Sequence, residues 1–169
     1  QFDILLKKLF PIHRSLISKG NLFTINEIKK IVPLKIINIK SNKRVYDWKI
    51  PKEWIVKEAW LKDPLGEKIA DFQRNNLSVV QYSKSFAGKM KFNSLKKRLF
   101  LHTLPNEIPY VTSYYNDDWG FCVSKTIFNK IKKYKKSFEV KIDAKFKKSN
   151  LKIGEILVPG KSKKEILLS

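Results

Sequence analysis

Cysteine, histidine, arginine, alanine and glycine are all scarce in this chain of 169 residues, and each shortage removes a class of protein. A single cysteine, Cys122, excludes an internal disulfide framework and suits a reducing cytoplasm. Two histidines, His13 and His102, beside that one thiol leave too few soft ligands for a self-contained zinc site. The six glycines form no phosphate-cradling loop, and no His-Glu-x-x-His pattern occurs. No apolar run approaches the roughly 18 residues of a membrane span, and the N-terminus lacks the charged-then-apolar order of a secretory leader. The expectation is a soluble, cytoplasmic segment with no membrane span.

Positive charge is present in excess. Lys and Arg number 36 against 15 Asp and Glu, a formal net charge of +21. Such a balance invites a nucleic-acid reading, but 32 of the cations are lysine and only Arg14, Arg44, Arg74 and Arg98 are arginine. Sites that read phosphates or base edges favour the planar, bidentate guanidinium. The excess is also spread, +9 over residues 1–84 and +12 over residues 85–169. Lys, Ile, Asn, Phe and Tyr supply 79 residues while Ala supplies four, the skew of an AT-rich coding sequence. Background composition, with weak attraction to polyanions, explains the charge without a specific nucleic-acid partner.

Leu, Ile, Val and Phe make up 56 residues, a third of the chain, enough to form a core. Phe2, Leu5, Leu6, Leu9 and Phe10 recur at helical spacing, giving an amphipathic helix interrupted near Pro11 and stopped by Lys19-Gly20. Thr24 and Glu27 form a capping box that opens a second helix, ended by Pro33. Residues 34–39 then read as a strand. From residue 44 to 149 short β-favouring runs (45–50, 55–61, 69–72, 77–82, 110–115, 121–123, 138–142) alternate with turns, and two helices follow Ser94 and Ser124 as N-caps. Residues 151–158 and 165–168, around the Pro159-Gly160 turn, read as a hairpin or as two strands of a sheet. The fold class is α/β (α+β). The predicted division is an N-terminal part of an α/β domain at 1–43, an inserted β-rich domain at 44–149, and return strands at 150–169. The chain opens on Gln1 and closes on the apolar run Glu165-Ile166-Leu167-Leu168-Ser169, so its last strand is expected to continue.

No stretch completes a catalytic constellation. His13, in Pro11-Ile12-His13-Arg14-Ser15, suits a general base or a ligand, but no second ligand lies near it in sequence. Arg14 suits either a carboxylate clamp or a cap on helix carbonyls. Tyr46, Trp48 and Trp54 read as core and turn-locking residues, with stacking on sugar rings or bases as the other use. Ser113 lacks a Gly-x-Ser-x-Gly elbow. Asp117 and Asp118 read as solvated turn residues, Cys122 as a small buried hydrophobe, and His102 has no evident partner.

Taken in order, five blocks resemble a bacterial family of zinc aminopeptidase-like proteins of unknown function, often encoded among polysaccharide-biosynthesis genes. They are Leu9-Phe10-Pro11-Ile12-His13-Arg14-Ser15-Leu16; Val45-Tyr46-Asp47-Trp48-Lys49-Ile50-Pro51-Lys52-Glu53-Trp54; Leu101-His102-Thr103-Leu104-Pro105 with Ile108-Pro109-Tyr110-Val111-Thr112-Ser113-Tyr114-Tyr115; Trp119-Gly120-Phe121-Cys122; and Gly154-Glu155 with Gly160 and residues 165–169. The resemblance implies the N-terminal part of a phosphorylase/hydrolase-like peptidase domain carrying an inserted β-rich domain, with a C-terminal winged helix in full-length members. It implies a peptide-like or amide substrate and a zinc cofactor in the parent, with the metal ligands after Ser169, so that this segment alone would be inactive. Ile17-Ser18 stands where the family has Thr-Gly, and the stretch from Pro105 to Ile108 is short, so loop geometry there is expected to differ from the family's. The candidates for the substrate cleft are His13, Arg14, Tyr114 and Trp119, with no catalytic or metal residue assigned. The alternative is a non-catalytic module that binds an anionic polysaccharide or nucleic acid.

Overall fold

The computed structural model describes residues 2–114, 116–162, 164 and 166–168, and shows a mixed α/β fold. Helix α1 (Phe2–Leu9) ends just before Pro11, which has no amide to donate. Helix α2 (Lys19–Lys29) starts six residues earlier than the Thr24–Glu27 pattern predicts. Ser18 is its cap, accepting from the Asn21 amide at 3.0 Å. Thr24 lies inside the helix and donates its hydroxyl to the Gly20 carbonyl, while Glu27 pairs with Lys8 and Lys30. The early start is possible because residue 20 is glycine. A Cβ there would lie 2.0 Å from the His13 carbonyl oxygen, so only a bare backbone lets the first turn of α2 press against the His13 segment.

Strand β1 (Lys35–Lys40) follows, then the short hairpin β2 (Arg44–Val45) and β3 (Trp48–Lys49). Tyr46, at its turn, has φ 54° and is almost fully exposed, so it is a turn residue and not part of the core. Four antiparallel strands form the main sheet in the order β5-β4-β9-β6. They are β4 (Glu53–Lys62), β5 (Lys68–Asp71), β6 (Phe86–Met90) and β9 (Phe138–Lys147). Along β9 the buried residues alternate as a half-buried strand requires: Phe138, Val140, Ile142, Ala144. Along β4 the inward set changes parity, from Trp54 to Ala59 and Leu61, because the register shifts between Val56 and Glu58 and leaves Lys57 as the extra residue of a bulge.

Between these lie α3 (Phe92–Leu95) with a 3-10 turn over Lys96–Arg98, the parallel pair β7 (Leu99–Phe100) and β8 (Phe121–Cys122), and α4 (Lys125–Ile131). Ser124 caps α4 as predicted, accepting from the Ile127 amide at 3.2 Å. Ser94 caps nothing; α3 begins before it, with Lys91 in the cap position. Residues 77–82 form no strand. Asn76–Ser78 is a 3-10 turn, and Tyr82 sits in the left-handed region at φ 64°, which ends any extended run. Residues 110–114 likewise contribute only the Gln81–Thr112 bridge, and Tyr115 lies outside the described residues.

The core beneath the sheet gathers Trp54, Leu61, Leu95, Phe121, Ile131 and Phe138, all at 2% exposure or less. A smaller cluster of Ile17, Ile50 and Leu151 lies under a second sheet, in which β1 pairs antiparallel with β10 (Asn150–Glu155). That ribbon is closed at one end by Ser41, whose amide donates to the Ser149 carbonyl at 2.8 Å while the Ser149 amide donates to the Ser41 hydroxyl at 3.1 Å. The chain therefore leaves β1 and re-enters β10 at adjacent points. No strand follows β10 among the described residues, so β10 pairs with β1 and not with the predicted 165–168 strand, whose Glu165 lies outside them.

Candidate functional site

The segment after α1 and the turn after β5 line one groove of about 900 Å³. His13 lies on its wall, wedged edge-on against Trp54 (ring centroids 5.5 Å apart) and Phe72 (5.0 Å). Its Nε2 is buried without a hydrogen-bond partner among the described residues, and burial holds the imidazole below its ordinary pKa. His13 is thus neutral at physiological pH. Arg14, next in the chain, is exposed on the same groove.

Trp54 continues an aromatic stack inward. Its indole donates to the Ser83 carbonyl at 2.9 Å, its ring stacks on Tyr82 at 6.0 Å, and Tyr82 meets Tyr114 edge-on at 4.5 Å. Burial pushes the Tyr82 phenol up to about 12. Burial, followed by a hydrogen bond with Tyr110, raises Tyr114 above the usual phenol range. Both phenols stay protonated at any physiological pH and do not act as bases; they lie behind the groove and not on its lining. Tyr110, exposed on the groove, donates its hydroxyl to Gln81 Oε1 at 3.1 Å.

Three of the four cleft candidates are therefore linked: His13 and Arg14 line the groove, and Tyr114 backs it through Tyr82 and Tyr110. Trp119 is elsewhere. It is buried, stacked on Phe86 at 4.2 Å, with the Arg98 guanidinium 5.3 Å from its ring centroid, and it edges a separate hollow beside α3. Gly120 explains its position, since a Cβ there would meet Phe100 at 2.7 Å and the Arg98 carbonyl at 2.9 Å.

The remaining polar candidates are structural. Asp118 pairs with Arg98 and is half-buried, while Asp117, which meets Lys84 at 3.0 Å, is exposed as a solvated turn residue should be. His102 Nδ1 accepts from the Leu104 amide at 3.0 Å, and the Ser113 hydroxyl donates to the Gln81 carbonyl. Cys122 is buried, its thiol pushed up to about 12 by burial, which makes it inert at neutral pH. Among the described residues no three His, Cys, Asp or Glu side chains gather as a metal-binding group. No helix among them is long and apolar enough to cross a membrane. The sequence reading passed over Arg74, which lines the same groove as Arg14; its signal was its rarity, one of four arginines in a lysine-dominated chain.

A protein of Clostridium acetobutylicum named "Putative polysaccharide biosynthesis protein with aminopeptidase-like domain" is 39% identical over 168 residues, covering 98% of this chain and 38% of the relative. The crystal structure of a "putative peptidase" from the same organism matches with TM-score 0.79 and 38% identity, over 89% of this chain and 36% of that one. The chain spans little more than a third of the length of these relatives. Residues 53–145, more than half of the chain, match the family described as "Domain of unknown function (DUF2172)". The chain belongs to that family.

Proposed function

We propose that this chain is the N-terminal segment of a zinc-dependent aminopeptidase-like hydrolase of the reducing cytoplasm, acting on a peptide-like or amide substrate. Residues 44–149 are an inserted domain that shapes the entrance to its active site. The observation that carries this reading is the 39% identity, over nearly the whole chain, to a relative whose name includes an aminopeptidase-like domain. The junction of Ser41 with Ser149 supports the insertion, because a domain inserted into a host leaves and re-enters it at neighbouring points.

Zinc does not fit the residues described. His13 is the one histidine on the groove, and its neighbours are aromatic rings and not carboxylates or a second imidazole. The ligands of such a centre are expected beyond Ser169, and no hydrolytic step is assigned to this chain. Its own residues would form a wall: His13 presents a neutral ring backed by the buried Tyr82 and by Tyr114, while Arg14 orients a negatively charged part of the substrate.

The test is metal analysis and an aminopeptidase assay on the full-length protein. Stoichiometric zinc, with release of N-terminal residues from short peptides that stops on chelation, is the expected result. A full-length protein that holds no zinc and cleaves no amide overturns the reading.

A further inference from the structure

Because arginine occurs only four times beside 32 lysines, the placement of the guanidiniums is informative. Two are engaged internally. Arg98 pairs with Asp118, and Arg44 donates from Nε to the Tyr46 carbonyl at 3.3 Å. The other two, Arg14 and Arg74, are exposed on the one groove, and neither side chain has an ion pair or hydrogen bond among the described residues.

Both hang from fixed backbone. Arg14 follows His13, which is wedged between Trp54 and Phe72. Arg74 follows a turn built on Asp71, whose carboxylate accepts from the Gln73 amide at 3.0 Å and from Lys68 at 2.8 Å, and whose carbonyl accepts from the Arg74 amide at 3.1 Å. Burial works against the Asp71 charge, yet these hydrogen bonds, helped by the nearby charges of Lys68 and Arg74, hold its carboxyl below the ordinary range. The two segments are tied by Asn76, whose side-chain Nδ2 donates to the Pro11 carbonyl at 3.4 Å. Tyr110 and Phe10 add exposed aromatic faces to the same groove, and its volume suits a small molecule.

We infer that this groove binds a sugar bearing a carboxylate or phosphate group, with Arg14 and Arg74 taking the anion and Tyr110 and Phe10 covering a face of the ring. A guanidinium fork matches a planar carboxylate or a phosphate edge with two parallel hydrogen bonds, which a lysine cannot do. An aromatic face covers the apolar side of a sugar ring while leaving its hydroxyls free. Glu107, the one acidic residue on the groove, works against the anion and keeps the site selective for ligands that hold it at the arginines. The inference concerns the same groove that the proposed function makes the substrate wall, but it is read by binding and not by hydrolysis, so its failure and the failure of that reading are distinguishable.

The experiment is calorimetric titration of the protein with glucuronate, glucose 1-phosphate and neutral glucose at one fixed ionic strength. One or both anionic sugars should bind saturably at one site, and glucose should not; their relative affinities distinguish carboxylate from phosphate. Arg14→Gln and Arg74→Gln should each weaken binding about tenfold or more, the scale of a lost charge-assisted hydrogen bond. Arg14→Lys should weaken it too, although charge is kept, and Glu107→Gln should tighten it. Arg44→Gln removes the same charge elsewhere and should leave affinity unchanged, which separates the site from the dispersed +21. Equal loss in Arg44→Gln, full retention in both groove variants, or no saturable binding of either anion overturns the inference.

Discussion

Residues 53–145 and the segments on either side of them bury their apolar side chains to very different extents. In the inner block, Trp54, Leu61, Phe121 and Phe138 are enclosed by a four-stranded sheet, α3 and α4. In the flanks, α1 shows Phe2, Ile4 and Leu6 at 51–73% exposure, and residues 156–158 and 166–168 are exposed as well. The block completes its own core, while among the described residues the flanks enclose only Leu9, Ile17, Ile25, Ile50 and Leu151 as buried apolar side chains. Under the proposed function the uncovered faces meet the rest of the hydrolase. A short chain therefore holds a finished unit and an unfinished one, and their responses to substitution should differ.

The largest contrast is expected between Phe138→Ala and Phe2→Ala. The first empties a fully buried site and should cost about 3–5 kcal/mol in urea unfolding. The second removes an exposed ring and should stay within about 0.5 kcal/mol. Comparable losses would mean that the flanks carry as much core as the block.

Gly20→Ala comes next. Its Cβ would collide with the His13 carbonyl, which is backbone and cannot swing aside, so α2 must move, at roughly 1–3 kcal/mol by the scale of overpacked sites. Trp54, which touches His13, should report the shift in its fluorescence. Gly160→Ala, with open space around it, is the silent control. If Gly20→Ala is equally silent, the contact between α2 and the His13 segment is not what fixes the groove wall.

Cap removal compares the two regions at matched chemistry. Ser124→Ala strips α4 of a bond to the Ile127 amide, and Ser18→Ala strips α2 of one to the Asn21 amide; each cap should be worth about 1 kcal/mol, with Ser18→Ala costing more because its hydroxyl also donates to the Ser15 carbonyl at 2.9 Å. Hydrogen exchange should then show the loss spread through the block for Ser124→Ala and confined to α2 for Ser18→Ala. A global response to both would erase the boundary between the regions.

The smallest effect is a pH dependence at the seam. Burial depresses the His13 pKa in the folded state, so the unfolded chain takes up a proton first as pH falls through about 6.5. Stability contributed by the neutral imidazole is complete above that value and declines below it, down to the folded pKa. The urea midpoint of the native protein should fall between roughly pH 7 and pH 5 more steeply than that of His13→Leu. Asp71, whose carboxyl is held low, acts only at more acid pH and is common to both proteins. Parallel slopes would place His13 in contact with water.

Local rules read α4 correctly because Ser124 is followed by a helix whose cap needs nothing beyond its own turn. They misread α2 because Thr24-x-x-Glu27 satisfies the same pattern, while the true start at Ser18 depends on Gly20 meeting a distant backbone. Strand β6 went unread for a related reason: Phe86-Ala87-Gly88-Lys89-Met90 has little β propensity of its own and is held extended by pairing with β9. The His13-Arg14 part of the groove was legible as unusual residue types at a helix break. Arg74 was not, since only folding brings the turn after β5 to the loop after α1.

The clasp between Ser41 and Ser149 also bears on the order of folding. In an unfolded chain the β1–β10 ribbon would have to close a loop of more than a hundred residues, an entropic cost that grows with the logarithm of loop length. Once the block has folded, its two ends already lie side by side and the ribbon needs to close only a few residues. The ribbon is thus cheap to form last and expensive to form first, so the oldest structure in a refolding chain should be the local hairpin of β4 with β5, and the newest the two strands that hold the ends of the block together.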